Sequence, residues 1–118
     1  MLLPTATDLL FVYGSLRRGF PLHHHLSRLR AEFVGRGSVQ GVASNLGKFP
    51  GARNSSKPWT RLAGELYRLH QVENALKVLD QVEGFSPRTP GKGLFQRATA
   101  EVVLLNKEQR LAWIYWCR

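Results

Sequence analysis

Two short stretches of this 118-residue chain carry groups that can handle charge and protons. In Tyr13-Gly14-Ser15-Leu16 an apolar run gives way at once to a glycine and a small hydroxyl residue. Such a turn can aim successive backbone N–H groups at an anion, with the Ser15 hydroxyl beside them. A plain structural β-turn fits the same residues. The second stretch centres on Glu83, just ahead of Gly84 and Phe85. A carboxylate near a helix C-terminal end meets the unfavourable pole of the helix dipole, and an apolar neighbour strips away hydration. Both effects favour the neutral acid and move its proton affinity toward that of a working acid/base. The alternative for Glu83 is an exposed residue flanking a helix cap. Asp80, three positions earlier on nearly the same side, reads as a cap or surface residue rather than the principal base.

The elements that must position these groups follow from periodicity. Leu9 to Tyr13 reads as a short buried strand, broken by Gly14-Ser15. Pro21 can open a helix because a first helical residue needs no amide donor, and Leu22, Leu26 and Leu29 predict one from about Pro21 to Arg30. From Glu32 to Ala43, β-branched and aromatic residues interrupted by Gly35, Gly37 and Gly41 predict a bent or bulged strand. Ser44 to Thr60, with Gly47, Pro50, Gly51, Asn54, Ser55 and Pro58, reads mainly as loop, with one edge segment at Leu46 to Phe49. Leu62 to Leu69 alternates as a strand. Val72, Leu76, Leu79 and Val82 form the clearest helical stripe, and Gly84 stops it in the left-handed backbone shape common at helix exits. Phe95 to Leu105 and Leu111 to Cys117 complete the pattern, with Asn106 to Gln109 between them as a turn. At least five strands and two helices imply a mixed α/β domain, whose sheet has enough strands to curl into a barrel.

Composition narrows the class. A chain of this length supports one core, so residues 1–118 are read as a single domain. A hydrophobic fraction of 43% argues against a disordered tail. Its apolar runs reach five or six residues, far below the ~20 that cross a bilayer as a helix. With no signal-peptide pattern at the start, a cytoplasmic location is the default expectation. Cys117 lacks a disulfide partner within the chain. The net charge of +9 is scattered rather than gathered into an arm, which predicts a solvated basic surface and no specific nucleic-acid partner. His23-His24-His25 resembles a metal motif only superficially, because adjacent helical residues diverge and no acidic or cysteine ligands complete a shell. No metal or cofactor is expected, and His70 reads as a cap or surface residue.

The chain resembles the gamma-glutamylcyclotransferase-like family, in particular its small AIG2-like or YtfP-like branch. The resemblance runs through Phe11-Val12-Tyr13-Gly14-Ser15-Leu16-Arg17-Arg18-Gly19, Gly64-Glu65-Leu66-Tyr67, Leu79-Asp80-Gln81-Val82-Glu83-Gly84-Phe85, Phe95-Gln96-Arg97 and Ala112-Trp113-Ile114-Tyr115. It implies a small mixed β-barrel with flanking helices and a cavity between the first strand's turn and the acidic residue after the central helix. Tyr13, Gly14, Ser15 and Leu16 match the family's substrate-cradling loop, and Glu83 matches its acid/base residue. The implied reaction is attack of a γ-glutamyl α-amine on its own γ-carbonyl, giving 5-oxoproline and a released amine or amino acid. The implied partner is a γ-glutamyl amine, a γ-glutamyl amino acid or a related carboxylated metabolite, and the protein is expected as a monomer or weak homodimer.

Roles for the neighbouring residues stay open at this point. Tyr13 is either a pocket wall with a hydroxyl for substrate or an ordinary core aromatic. Phe95 either lines the cavity or packs the core. Arg97 either orients an acidic substrate group or makes a structural salt bridge. The alternative function is a non-catalytic small-molecule-binding or regulatory domain of the same fold, which would bind a carboxylated metabolite without releasing 5-oxoproline.

Overall fold

The computed structural model describes residues 7–13, 19, 23–46, 49–86, 88, 93 and 95–117. Along the chain run β1 (Leu9–Val12), α1 (His23–Arg28), β2 (Glu32–Leu46), β3 (Phe49–Asn54), β4 (Arg61–Arg68), α2 (Val72–Glu83), β5 (Phe95–Leu104) and β6 (Gln109–Cys117). The strand order is β3-β2-β4-β1-β6-β5, and β2 also pairs with β5. That extra pairing closes β2, β4, β1, β6 and β5 into a small barrel and leaves β3 as an outer strand. All pairings are antiparallel except β1 with β6, which run parallel and meet at Leu10 and Trp113. Among the described residues no helix is long and apolar enough to cross a membrane.

The two-residue period of the strands divides the apolar residues between two cores. Leu9 and Phe11 of β1, Val102 and Leu104 of β5, and Ala112, Ile114 and Trp116 of β6 join Val39 and Leu66 in one cluster, which fills the barrel. Leu10, Val12, Tyr67 and Tyr115 point the other way and pack with Leu26 of α1 and Ala75, Leu76 and Leu79 of α2. Leu10, Leu26 and Leu79 are fully buried, and each stabilises the fold by about 2 kcal/mol through removal of apolar surface from water. The helical stripe read from the sequence is thus what holds α2 against the barrel wall.

Two local features depend on glycine. The register of β2 against β4 slips between Phe33 and Gly35, the bulge expected from the glycine-rich strand. At Gly64 the end of β1 comes so close that an added Cβ would lie 2.5 Å from the Phe11 ring and collide with the Val12 carbonyl oxygen. Absence of a side chain there lets β1 deliver Tyr13 to its place.

The segment 44–60 departs from the loop expected of it. Strand β2 continues to Leu46, and β3 pairs back on it from Gly41↔Asn54 to Leu46↔Phe49. Glycine, proline and asparagine disguise this hairpin in the sequence. Pairing with β2 overrides their weak strand preference, and Pro50 is tolerated because β3 is an outer strand. Strand β6 likewise begins at Gln109, two residues before the apolar pattern starts. Helix α1 is described over His23–Arg28; the expected first turn at Pro21 and Leu22 lies outside the described residues.

Candidate active site

Glu83 occupies the last position of α2, and the backbone around it is tightly determined. Gly84 adopts a left-handed conformation with φ 72° and ψ 29°. Its N–H reaches the Gln81 carbonyl at 3.3 Å, and the Phe85 N–H reaches the Asp80 carbonyl at 2.8 Å. This pair of bonds is the Schellman ending, which satisfies carbonyls that the helix leaves without partners. Gly93 supports the ending from outside: its φ is 91°, and an added Cβ would stand 2.5 Å from the Gly84 carbonyl oxygen. The chain returning toward β5 therefore presses directly on the cap that carries Glu83.

The side chain of Glu83 is partly buried. Loss of hydration raises its proton affinity, pushing its pKa from 4.5 up to about 7. Such a carboxyl group changes protonation near neutrality, as a group that both takes and returns a proton must. Its charge is also felt by two phenols. Burial is the main cause that holds Tyr13 and Tyr115 above the ordinary tyrosine range, and the Glu83 carboxylate adds to the rise in both. Glu83, Tyr13 and Tyr115 therefore share one electrostatic neighbourhood at the end of the barrel where β1 and α2 finish.

Tyr13 follows the last residue of β1 and packs against the barrel core. Its ring stacks on Trp116 with centroids 6.3 Å apart and planes at 28°, and its hydroxyl donates to the Tyr115 carbonyl. It is thus both a core aromatic and a wall of the Glu83 neighbourhood. The other members of the expected cradle, Gly14, Ser15 and Leu16, lie outside the described residues.

Beneath Glu83 is a buried polar network. Asp80, expected as a cap or surface residue, is instead only 5% exposed. The Tyr115 hydroxyl donates to its Oδ1 at 2.6 Å, and Arg97 Nε stands 3.6 Å from the same oxygen. Burial raises the Asp80 pKa, while the Tyr115 hydrogen bond and then the Arg97 charge pull the other way. Three residues, just under one helical turn, separate Asp80 from Glu83, and the helix turns this position inward against β5 and β6. The alternation of β4 likewise directs Glu65 inward, and Tyr67 donates to its Oε1 at 2.9 Å.

Arg97 makes the structural ion pair that was one of its two roles. Its guanidinium carbon lies 5.0 Å from the Trp113 ring centre and 5.7 Å from that of Phe85, a cationic group held between two aromatic faces. Phe95, like Phe85 and Trp113, is partly buried and packs against the core between barrel and helices. Tyr115 and Asp80 were absent from the expected site residues. No local sequence signal marks Tyr115, which reaches Asp80 beside Arg97 because the two residues are directly opposite on β5 and β6.

Elsewhere, His70 sits on the surface with Nε2 2.7 Å from Glu32 Oε2. The His23 ring packs near Tyr67 at 5.7 Å and those of His24 and His25 lie 4.0 Å apart. Among the described residues no group of three or more His, Cys, Asp or Glu side chains could hold a metal ion. Cys117 is buried, with its thiol donating to the Ala52 carbonyl at 2.9 Å.

Solved structures share this architecture. An AIG2-like protein from Mus musculus superposes with a TM-score of 0.74 at 24% identity, over 92% of this chain and 76% of that one. YkqA from Bacillus subtilis gives 0.73 at 22% identity, over 94% of this chain; this chain spans 36% of the length of YkqA. A protein described as a gamma-glutamyl cyclotransferase gives 0.65 at 16% identity, covering 93% and 66%. At these identities the likeness is one of fold. No curated protein sequence matches the chain. Residues 10–118, which include both the Tyr13 turn and the Glu83 cap, match the family described as gamma-glutamyl cyclotransferase, AIG2-like, and the chain belongs to that family.

Proposed function

We propose that this protein is a γ-glutamyl cyclotransferase that closes a γ-glutamyl group into 5-oxoproline and releases the attached amine or amino acid. The observation that carries this reading is the Glu83 carboxyl group, with a pKa of about 7, at the barrel end beside Tyr13. Family membership supports the choice of substrate class.

The reaction asks little of the protein beyond proton handling. A five-membered ring closure brings the substrate's own amine close to its γ-carbonyl, so proximity is built into the molecule. Ionised Glu83 accepts a proton from the α-ammonium, and the freed amine adds to the carbonyl carbon to form the ring C–N bond. As the tetrahedral intermediate collapses, the bond to the leaving nitrogen breaks, Glu83 returns its proton to that nitrogen, and the second proton of the ring nitrogen passes to the released amine or to water, leaving a neutral lactam. The carboxyl group ends as it began. In this proposal the amides of Gly14, Ser15 and Leu16 hold the substrate carboxylate. The Tyr13 ring forms a wall, since its hydroxyl is committed to the Tyr115 carbonyl. Asp80 and Arg97 keep the C-terminal turn of α2 in place.

Incubating the purified protein with γ-glutamyl amines, γ-glutamyl amino acids and glutathione, and quantifying 5-oxoproline, tests the reading. Stoichiometric formation of 5-oxoproline and free amine is expected from at least one of these classes. Saturable binding with no product from any of them would transfer the site to the binding-domain alternative.

A further inference from the structure

A pocket whose described lining does not include Glu83 lies where the barrel wall splits. Strands β2 and β5 pair at Gly37↔Leu104 and Ser38↔Val103. Beyond Ser38, β2 stays paired with β4 as far as Gln40 and takes β3 as a partner from Gly41 on, whereas β5 continues along β6. The gap between the diverging strands is a pocket of about 300 Å³, at the small end of the range for ligand sites. Its lining includes Gln40, Asn54, Arg61, Thr99, Glu101 and Trp116.

The chemistry of this lining is specific. Among the described residues it contains one cation, Arg61, and one anion, Glu101, and these form no ion pair within 4.0 Å with each other or with another described group. Arg61 is held in place by neutral oxygens: its Nε donates to Ser38 Oγ at 3.1 Å and its Nη2 to the Ser38 carbonyl at 2.8 Å. Among the described residues its Nη1 has no partner within the protein, so a pinned guanidinium keeps donors to spare for a carboxylate. Gln40 is fixed by its Nε2 donating to the Ser55 carbonyl, which leaves its amide oxygen as an acceptor. A nucleic-acid backbone would suit Arg61 and be repelled by Glu101. A compact zwitterion is complementary to both.

We propose that the β2/β5 gap is a binding site for a free α-amino acid, with Arg61 receiving the carboxylate and Glu101 the ammonium group. Trp116 lines the gap and also stacks on Tyr13, so occupancy reports on an aromatic residue of the barrel core. The proposal stands whether or not the protein is a cyclotransferase.

The test is titration of the ¹⁵N-labelled full chain with the common L-α-amino acids, followed by two analogues of the tightest binder, one lacking the carboxylate and one lacking the amine. Saturable shifts at Gln40, Thr99 and the Trp116 indole are expected, and each analogue should bind at least about tenfold more weakly, the worth of one charge-assisted contact. Glu101→Gln and Arg61→Met should each weaken binding to a similar degree, and E83Q should leave it unchanged. Absence of saturable binding by every amino acid overturns the proposal. So does binding that survives both Glu101→Gln and Arg61→Met, or that is lost in E83Q with its shifts gathered around Tyr13. Glu101 is an exposed strand residue, so its variant tests the site even if Arg61→Met disturbs the fold.

Discussion

The position of Glu83 has a thermodynamic consequence that can be measured without any substrate. Its carboxyl group titrates at 4.5 when exposed and at about 7 in the folded protein. The folded state therefore holds a proton that the unfolded chain has already lost. Stability from this group is full below the unfolded value, declines as pH rises from 4.5 toward 7, and is flat above. At roughly 1.4 kcal/mol per unit, the rise amounts to about 3 kcal/mol, an upper figure because the side chain is partly exposed. E83Q keeps the shape and removes the titration. Urea unfolding of both proteins from about pH 4 to pH 8 isolates this one group, because every other titration cancels in the difference. E83Q should gain up to about 3 kcal/mol relative to the parent across that window. A difference constant to within about 0.5 kcal/mol would show that Glu83 is hydrated like any surface carboxylate and would refute the reasoning.

Other substitutions probe the scaffold around it. Asp80→Ala removes the ionic partner of Arg97 and the acceptor of the Tyr115 hydroxyl; a loss of about 3 kcal/mol or more is expected in urea unfolding. Gly64→Ala forces a methyl group into the Phe11 ring and the Val12 carbonyl, and should cost at least about 2 kcal/mol because the backbone of β1 cannot retreat from its neighbours. Gly93→Ala strains a backbone at φ 91° and pushes on the Gly84 carbonyl; it should lower turnover as well as stability, the latter by about 1 kcal/mol or more. Tyr13→Phe leaves the Tyr115 carbonyl without its donor and should cost about 1 kcal/mol in thermal or urea unfolding.

The residues differ in how openly they announced their roles. The α2 stripe and Gly84 predicted a helix ending at Glu83 because periodicity and a left-handed stop are local properties. The apolar run of β1, the alternation of β4 and the strand patterns of β5 and β6 were legible for the same reason. Strand β3 was not, since its glycine, proline and asparagine carry turn preferences and only pairing with β2 makes them a strand. Asp80 was misplaced because a helical wheel shows which residues share a side, and the tertiary partners decide how deep that side is buried. Its partners, Tyr115 and Arg97, lie 35 and 17 positions away in the chain and meet it only through the β5 and β6 register. The β2/β5 gap is likewise a product of strand divergence, and no short motif marks it.

The most direct test of the central claim is the pH dependence of 5-oxoproline formation by the parent and by E83Q. The account predicts that kcat/KM of the parent has a limb near pH 7 set by Glu83, and that E83Q binds substrate but turns it over at least about 10²-fold more slowly. Turnover by E83Q at the parent rate, with the same limb, would contradict it.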